Sequence, residues 1–127
     1  MKNPIGNLPA FDPESGDTLA VIETPKGSRN KYAFNDDLGV FELRKVLPRG
    51  MSFPYDFGFI PATKGEDGDP LDILLLLDES APAGGVIRTR VVGALLAEQS
   101  EDGTTWVRND PPIGVAVHAK MTAASKT

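Results

Sequence analysis

Residues 65–77 read GEDGDPLDILLLL. Gly68 and Pro70 force the first half into a turn, because glycine opens unusual backbone angles and proline removes a donor. Residues 71–77 follow as an apolar run broken only by Asp72, the length and composition of a buried strand. A turn feeding directly into a buried strand is the unit from which the rest of the chain is read.

The flanking sequence repeats that theme. Thirteen glycines and eleven prolines cut 127 residues into short pieces, with no internal repeat. Residues 18–24 (TLAVIET) are rich in strand formers and end at Pro25. Residues 31–34 and 40–47 read as two strands joined by NDDLG, where Gly39 can take a positive φ. Residues 53–60 (FPYDFGFI) are aromatic and extended, since Pro54 disfavours a helix there. Gly84 and Gly85 open a long run over 86–97, in which Arg88 and Arg90 share one face. Residues 106–108 and 113–117 read as strands around the Pro111-Pro112 turn. Only 94–99 and 118–127 carry a helical reading. Many short strands with Gly/Pro turns predict a mainly β protein, a closed or partly open barrel, with a sandwich as the alternative.

The length allows a single domain, 1–127, with 1–16 as a surface arm and 118–127 as a short tail. Without cysteine there is no disulfide and no thiolate ligand, and one histidine, His118, cannot make a multi-histidine metal site. The longest apolar run is the five residues 73–77, far short of the roughly 20 that a membrane helix requires. The amino-terminal residues have no signal-peptide core, so the expected setting is cytoplasmic. Eighteen acidic residues against thirteen Lys and Arg give a net charge of −5, which argues against nucleic acid and anionic membrane as partners.

The acidic excess is concentrated. Glu66, Asp67, Asp69 and Asp72 fall within seven residues. Two like charges at about 4 Å cost on the order of 4 kcal/mol at an effective dielectric of 20, and a divalent cation is the usual relief. A solvated acidic turn is the bland alternative. A helix–loop–helix calcium site fits poorly, because its sixth position would be Asp72 rather than glycine and a hydrophobic strand occupies its second half.

The segment Asp67-Gly68-Asp69-Pro70-Leu71-Asp72-Ile73 resembles the signature of the family I soluble inorganic pyrophosphatases. Residues 21–32 (VIETPKGSRNKY), Phe53-Pro54, Phe57-Gly58-Phe59-Ile60-Pro61, the 86–93 run and Arg108-Asn109-Asp110 agree in order and spacing. The resemblance implies a five-stranded OB-like barrel with little helix, and Mg²⁺-dependent hydrolysis of pyrophosphate to two phosphates by a metal-activated water. It implies Asp67, Asp72 and Asp110 as metal ligands and Asp69 as the carboxylate that deprotonates the water. Lys31 matches a phosphate-binding lysine, Lys45 stands at a phosphate-contacting arginine position, and Glu23 matches an acid supporting the metal shell. Arg88 and Arg90 are expected on the outer barrel face. A homo-oligomer is also implied.

Departures from the family pattern are specific. Ala33 stands where a glutamate is common, Phe53 and Phe57 replace tyrosines, Gln99 falls near an expected carboxylate, and Pro112 replaces a basic residue. Residues 118–127 stop where the family's long C-terminal helix would begin, which implies an oligomer contact or local disorder in its place. Three readings follow: an active, divergent pyrophosphatase; a pyrophosphatase-like barrel with little activity that binds metal, phosphate or a protein partner; and an OB-type oligonucleotide binder, which the charge disfavours.

Overall fold

The computed structural model describes residues 3–65, 68–96, 98–99, 104, 107–108 and 110–117. Nine strands make up the regular structure of these residues, and none of them is helical. β1 (Thr18–Thr24), β4 (Asp56–Ile60), β5 (Leu71–Leu76), β9 (Pro112–Ala116) and β6 (Val86–Ala94) close a barrel in that spatial order. β6 returns to pair with β1, with Leu19 opposite Arg88. All barrel pairings are antiparallel except β5 with β9. The expected five-stranded OB-like barrel is therefore present. β2 (Asn30–Asn35) and β3 (Val40–Val46) form a separate hairpin, and β7 (Glu98–Gln99) pairs with β8 (Val107–Arg108).

The barrel interior is filled by Ala20, Ile22, Ile60, Ile73 and Leu75, with Ala10, Leu77, Ala81 and Ile87 packed against them. Burying one such Ile or Leu contributes about 1.5–3 kcal/mol. Two glycines let the walls close. A Cβ on Gly58 would fall far inside the Val21 carbonyl, and one on Gly114 would crowd Ile73 and Leu75 at 3.1 and 3.2 Å. The only fully buried carboxylate among the described residues, Asp56, is satisfied by bonds across two loops. Its Oδ1 accepts the Lys26 N–H at 3.0 Å and the Ser80 hydroxyl at 2.6 Å.

The Pro/Gly/Asp-rich opening runs over the surface and is fastened at both ends. Asn3 Nδ2 donates to the Asp36 carbonyl at 2.8 Å, and Arg88 pairs with Asp12. Thr89 points into the barrel and Arg88 outward, as the two-residue spacing requires. The helical reading of 94–99 is corrected: Ala94 ends β6 opposite Pro112, and Glu98–Gln99 pair with Val107–Arg108. Partner strands decide that segment, and its short run of small and apolar residues has no period of its own. The 118–127 reading lies outside the described residues.

Candidate active site

Two interruptions of strand register build one wall. In β1, Ile22 pairs with Gly58 and Thr24 with Phe57, so Glu23 has no partner on β4. In the hairpin, Lys31 pairs with Lys45 and Tyr32 with Leu43, so Arg44 is the extra residue on β3. A bulge of this kind bends a strand and re-aims the side chain it carries. Glu23 and Arg44 both line a cleft of about 1080 Å³ between the hairpin and the outer surface of the barrel.

Among the described residues the hairpin makes no backbone ladder with the barrel. Glu23 Oε2 accepts the Phe34 N–H at 2.8 Å instead. Phe34 then stacks on Phe59 of β4 with ring centroids 5.6 Å apart, and against Phe41 of β3 at 5.1 Å. Phe59 is the cross-strand partner of Asp72, so the two side chains share a face. Ile73, next along β5, is in the core, which places Asp72 on the outside of the barrel, in the cleft.

The acidic turn supplies the far rim. Thr63 Oγ1 donates to the Ile60 carbonyl at 2.5 Å and accepts the Leu71 N–H at 2.9 Å, pinning the two ends of the loop together. Within it, Gly65 N–H donates to Asp69 O at 2.7 Å, and Gly68 takes φ +88°, a left-handed value that glycine adopts without strain. Lys64, Asp69 and Asp72 face the cleft from this side; Lys31 and Arg44 face it from the hairpin.

Of the residues picked out in the sequence, Glu23, Lys31, Asp69 and Asp72 converge on this one cleft. Asp67 lies outside the described residues. Asp110 is half-buried just before β9 and does not line the cleft, nor does Lys45, which stands across the ladder from Lys31. Arg44 was not anticipated. Alternation along an unbroken strand puts neighbours 44 and 45 on opposite faces, and only the pairing register reveals which one reaches the cleft. Ala33 and Phe57 also line it, and Phe57 packs against Phe53 at 6.1 Å.

Burial pushes the Glu23 carboxyl up to about 7; the Phe34 N–H pulls it back, the Asp72 charge adds to the rise, and Lys31 and Arg44 oppose it. Among the described residues no three carboxylates stand close enough to hold a metal ion by themselves. The chemistry of the donors nevertheless suits a hard divalent cation: oxygen ligands only, with a carboxylate whose ionised form is disfavoured beside a second one.

The family model for inorganic pyrophosphatase matches residues 20–118. The chain belongs to the inorganic pyrophosphatase family. The Thermus thermophilus inorganic pyrophosphatase is 46% identical over 101 residues, covering 80% of this chain and 58% of that one. The Synechocystis inorganic pyrophosphatase is 43% identical over 91 residues, covering 72% and 53%. The crystal structure of the Thermus thermophilus pyrophosphatase superposes with a TM-score of 0.79 at 41% identity, over 93% of this chain and 64% of that chain. The Ehrlichia chaffeensis pyrophosphatase structure gives 0.73 at 32%, over 88% and 67%. The chain thus spans somewhat more than half the length of these curated pyrophosphatases.

Proposed function

We propose that the cleft hydrolyses inorganic pyrophosphate to two phosphates. The observation that carries this reading is the convergence of Glu23, Asp69 and Asp72 with Lys31 and Arg44 in one cleft. Carboxylates alone would repel so anionic a substrate, and cations alone would hold it without activating water. Asp72, in the cleft, is a proposed Mg²⁺ ligand with Glu23 in support, and Asp67 and Asp110 are proposed as further ligands on the family likeness alone. Mg²⁺, when bound, would supply charge for the phosphate oxygens and make neighbouring water more acidic.

The chain's own residues do the rest. Lys31 and Arg44 neutralise and orient the phosphoryl oxygens, with Lys45, across the ladder from Lys31, a further proposed contact that rests on the family likeness alone; the guanidinium adds a planar fork that an ammonium lacks. Asp69 takes a proton from the attacking water. The water oxygen bonds to one phosphorus, the bridging oxygen leaves with the other, and two phosphates result. Stabilising the charge that develops on the leaving group is the largest contribution expected of the cations. The family likeness supports a cytoplasmic setting. Exposed apolar side chains such as Val92 and Leu96 support a homo-oligomer.

A second reading, a barrel that binds metal or phosphate with little turnover, is favoured by Ala33 and Phe57, apolar side chains lining a cleft for an anion. Phosphate release from pyrophosphate, with and without Mg²⁺, separates the two. The native chain is expected to release phosphate only with Mg²⁺, and Asp69→Asn to lower the rate at least about 100-fold. Release no faster than without protein would leave the second reading standing, and Mg²⁺-dependent release untouched by Asp69→Asn would remove Asp69 from the mechanism.

A further inference from the structure

The residue that seats the hairpin is a threonine with no charge and no access to the cleft. Thr24, last in β1, has zero exposure. Its hydroxyl accepts the Tyr32 N–H at 3.0 Å and donates to the Tyr32 carbonyl at 3.0 Å. One side chain thus satisfies both backbone groups of a single residue on the next strand, the work that two ladder bonds do elsewhere in a sheet. Tyr32 borders the register shift: Lys31, before it, pairs with Lys45, and Tyr32 itself pairs with Leu43, leaving Arg44 unmatched. The hydroxyl therefore grips the hairpin at the point where Lys31 and Arg44 are set.

We infer that Thr24 is a positioning residue, whose hydroxyl fixes the height of Lys31 and Arg44 over the carboxylates and so sets affinity for the substrate's phosphoryl groups. Glu23 cannot do this by itself, because its single bond to Phe34 N–H lies two residues further along β2. A hydroxyl is the suitable group, since it both donates and accepts and no carboxylate or ammonium at neutral pH does so. The inference rests on the reading of Lys31 as a phosphate ligand.

The test uses Thr24→Val, which keeps the shape and removes the hydroxyl, and Thr24→Ser, which keeps the hydroxyl. Thr24→Val is expected to raise KM for pyrophosphate about tenfold while kcat changes by less than about threefold, with Thr24→Ser within about twofold of the native chain on both. Combining Lys31→Ala with Thr24→Val should raise KM by clearly less than the product of the two single effects, because part of the hydroxyl's effect runs through Lys31. Effects that multiply in the double variant, or a lowered Tm with KM unmoved, would reduce Thr24 to a structural residue and overturn the inference. If Lys31→Ala itself leaves KM unchanged, the reading of Lys31 fails instead. Calorimetric Kd values for inorganic phosphate give the same comparison without turnover. Should Thr24→Val not fold, Thr24→Ala against Thr24→Ser keeps the contrast.

Discussion

The barrel and the hairpin are held by different means. Each barrel strand is laddered on both sides, the ring closes on itself, and its interior is apolar. The β2–β3 hairpin has one ladder, its own, and reaches the barrel through the Glu23 and Thr24 side chains and the Phe34 ring. Of the cleft's charged residues, Glu23, Lys64, Asp69 and Asp72 come from barrel strands and the loop leading into one, and Lys31, Asp36, Asp37 and Arg44 come from the hairpin and its turn. Rigid placement suits groups that must share a cation without drifting apart. A lightly attached hairpin that carries Lys31 and Arg44 can be adjusted by a few side-chain contacts, so changes in the two regions should have different signatures.

The largest effect is expected at the barrel wall. Gly58→Ala sets a methyl against the Val21 backbone, which cannot swing aside as a side chain can, and should destabilise the fold by upwards of about 4 kcal/mol. Urea unfolding checks this, and a loss under about 1 kcal/mol would mean that the barrel is looser than its closed ladder suggests.

Next comes the junction of the two regions. The native Glu23 carboxyl holds its proton up to about 7, whereas in the unfolded chain it ionises in the ordinary range. The folded state therefore binds the extra proton between those values, and its stability falls as pH rises through that window. The metal-free chain should lose about 3 kcal/mol from this group between pH 4.5 and 8. Glu23→Gln should flatten that part of the profile. Identical native and Glu23→Gln profiles in chelator-treated samples would remove the junction's part in the comparison.

The smallest effect is expected where the hairpin tip meets the arm. Asn3→Ala removes the exposed bonds to Asp36 and should cost no more than about 1 kcal/mol in unfolding, with pyrophosphate turnover within about twofold of the native chain. A tenfold rise in KM would show that the tip, and not only its root at Thr24, sets the hairpin's position.

The barrel was legible in the sequence because its signals are local. The TLAVIET run ended by Pro25, the GEDGDP turn and the apolar strand after it each announce their own conformation, and β1 and β5 follow them closely. The site was legible where a motif carried it, at Asp69 and Asp72. It was illegible where pairing carries it. The bulges at Glu23 and Arg44 arise from how β1 meets β4 and β2 meets β3, which no single strand encodes. The family pattern points to Lys45, and the extra residue in β3 brings its neighbour Arg44 to the cleft, which only the pairing register reveals. Residues 94–99 were misread for a related reason, since strand partners outweigh weak intrinsic propensity.

The closed ring has a further consequence for the strand left out of it. Among the described residues, β3 pairs only with β2, so its outer side offers unpaired backbone to any passing chain, and Val40, Leu43 and Val46 along it are exposed. Charges on such a border discourage edge-to-edge stacking between molecules. Arg44 and Lys45 supply them, flanked by Leu43 and Val46. Arg44, which also lines the cleft, thus serves two ends, and neutralising it for one purpose would weaken the other.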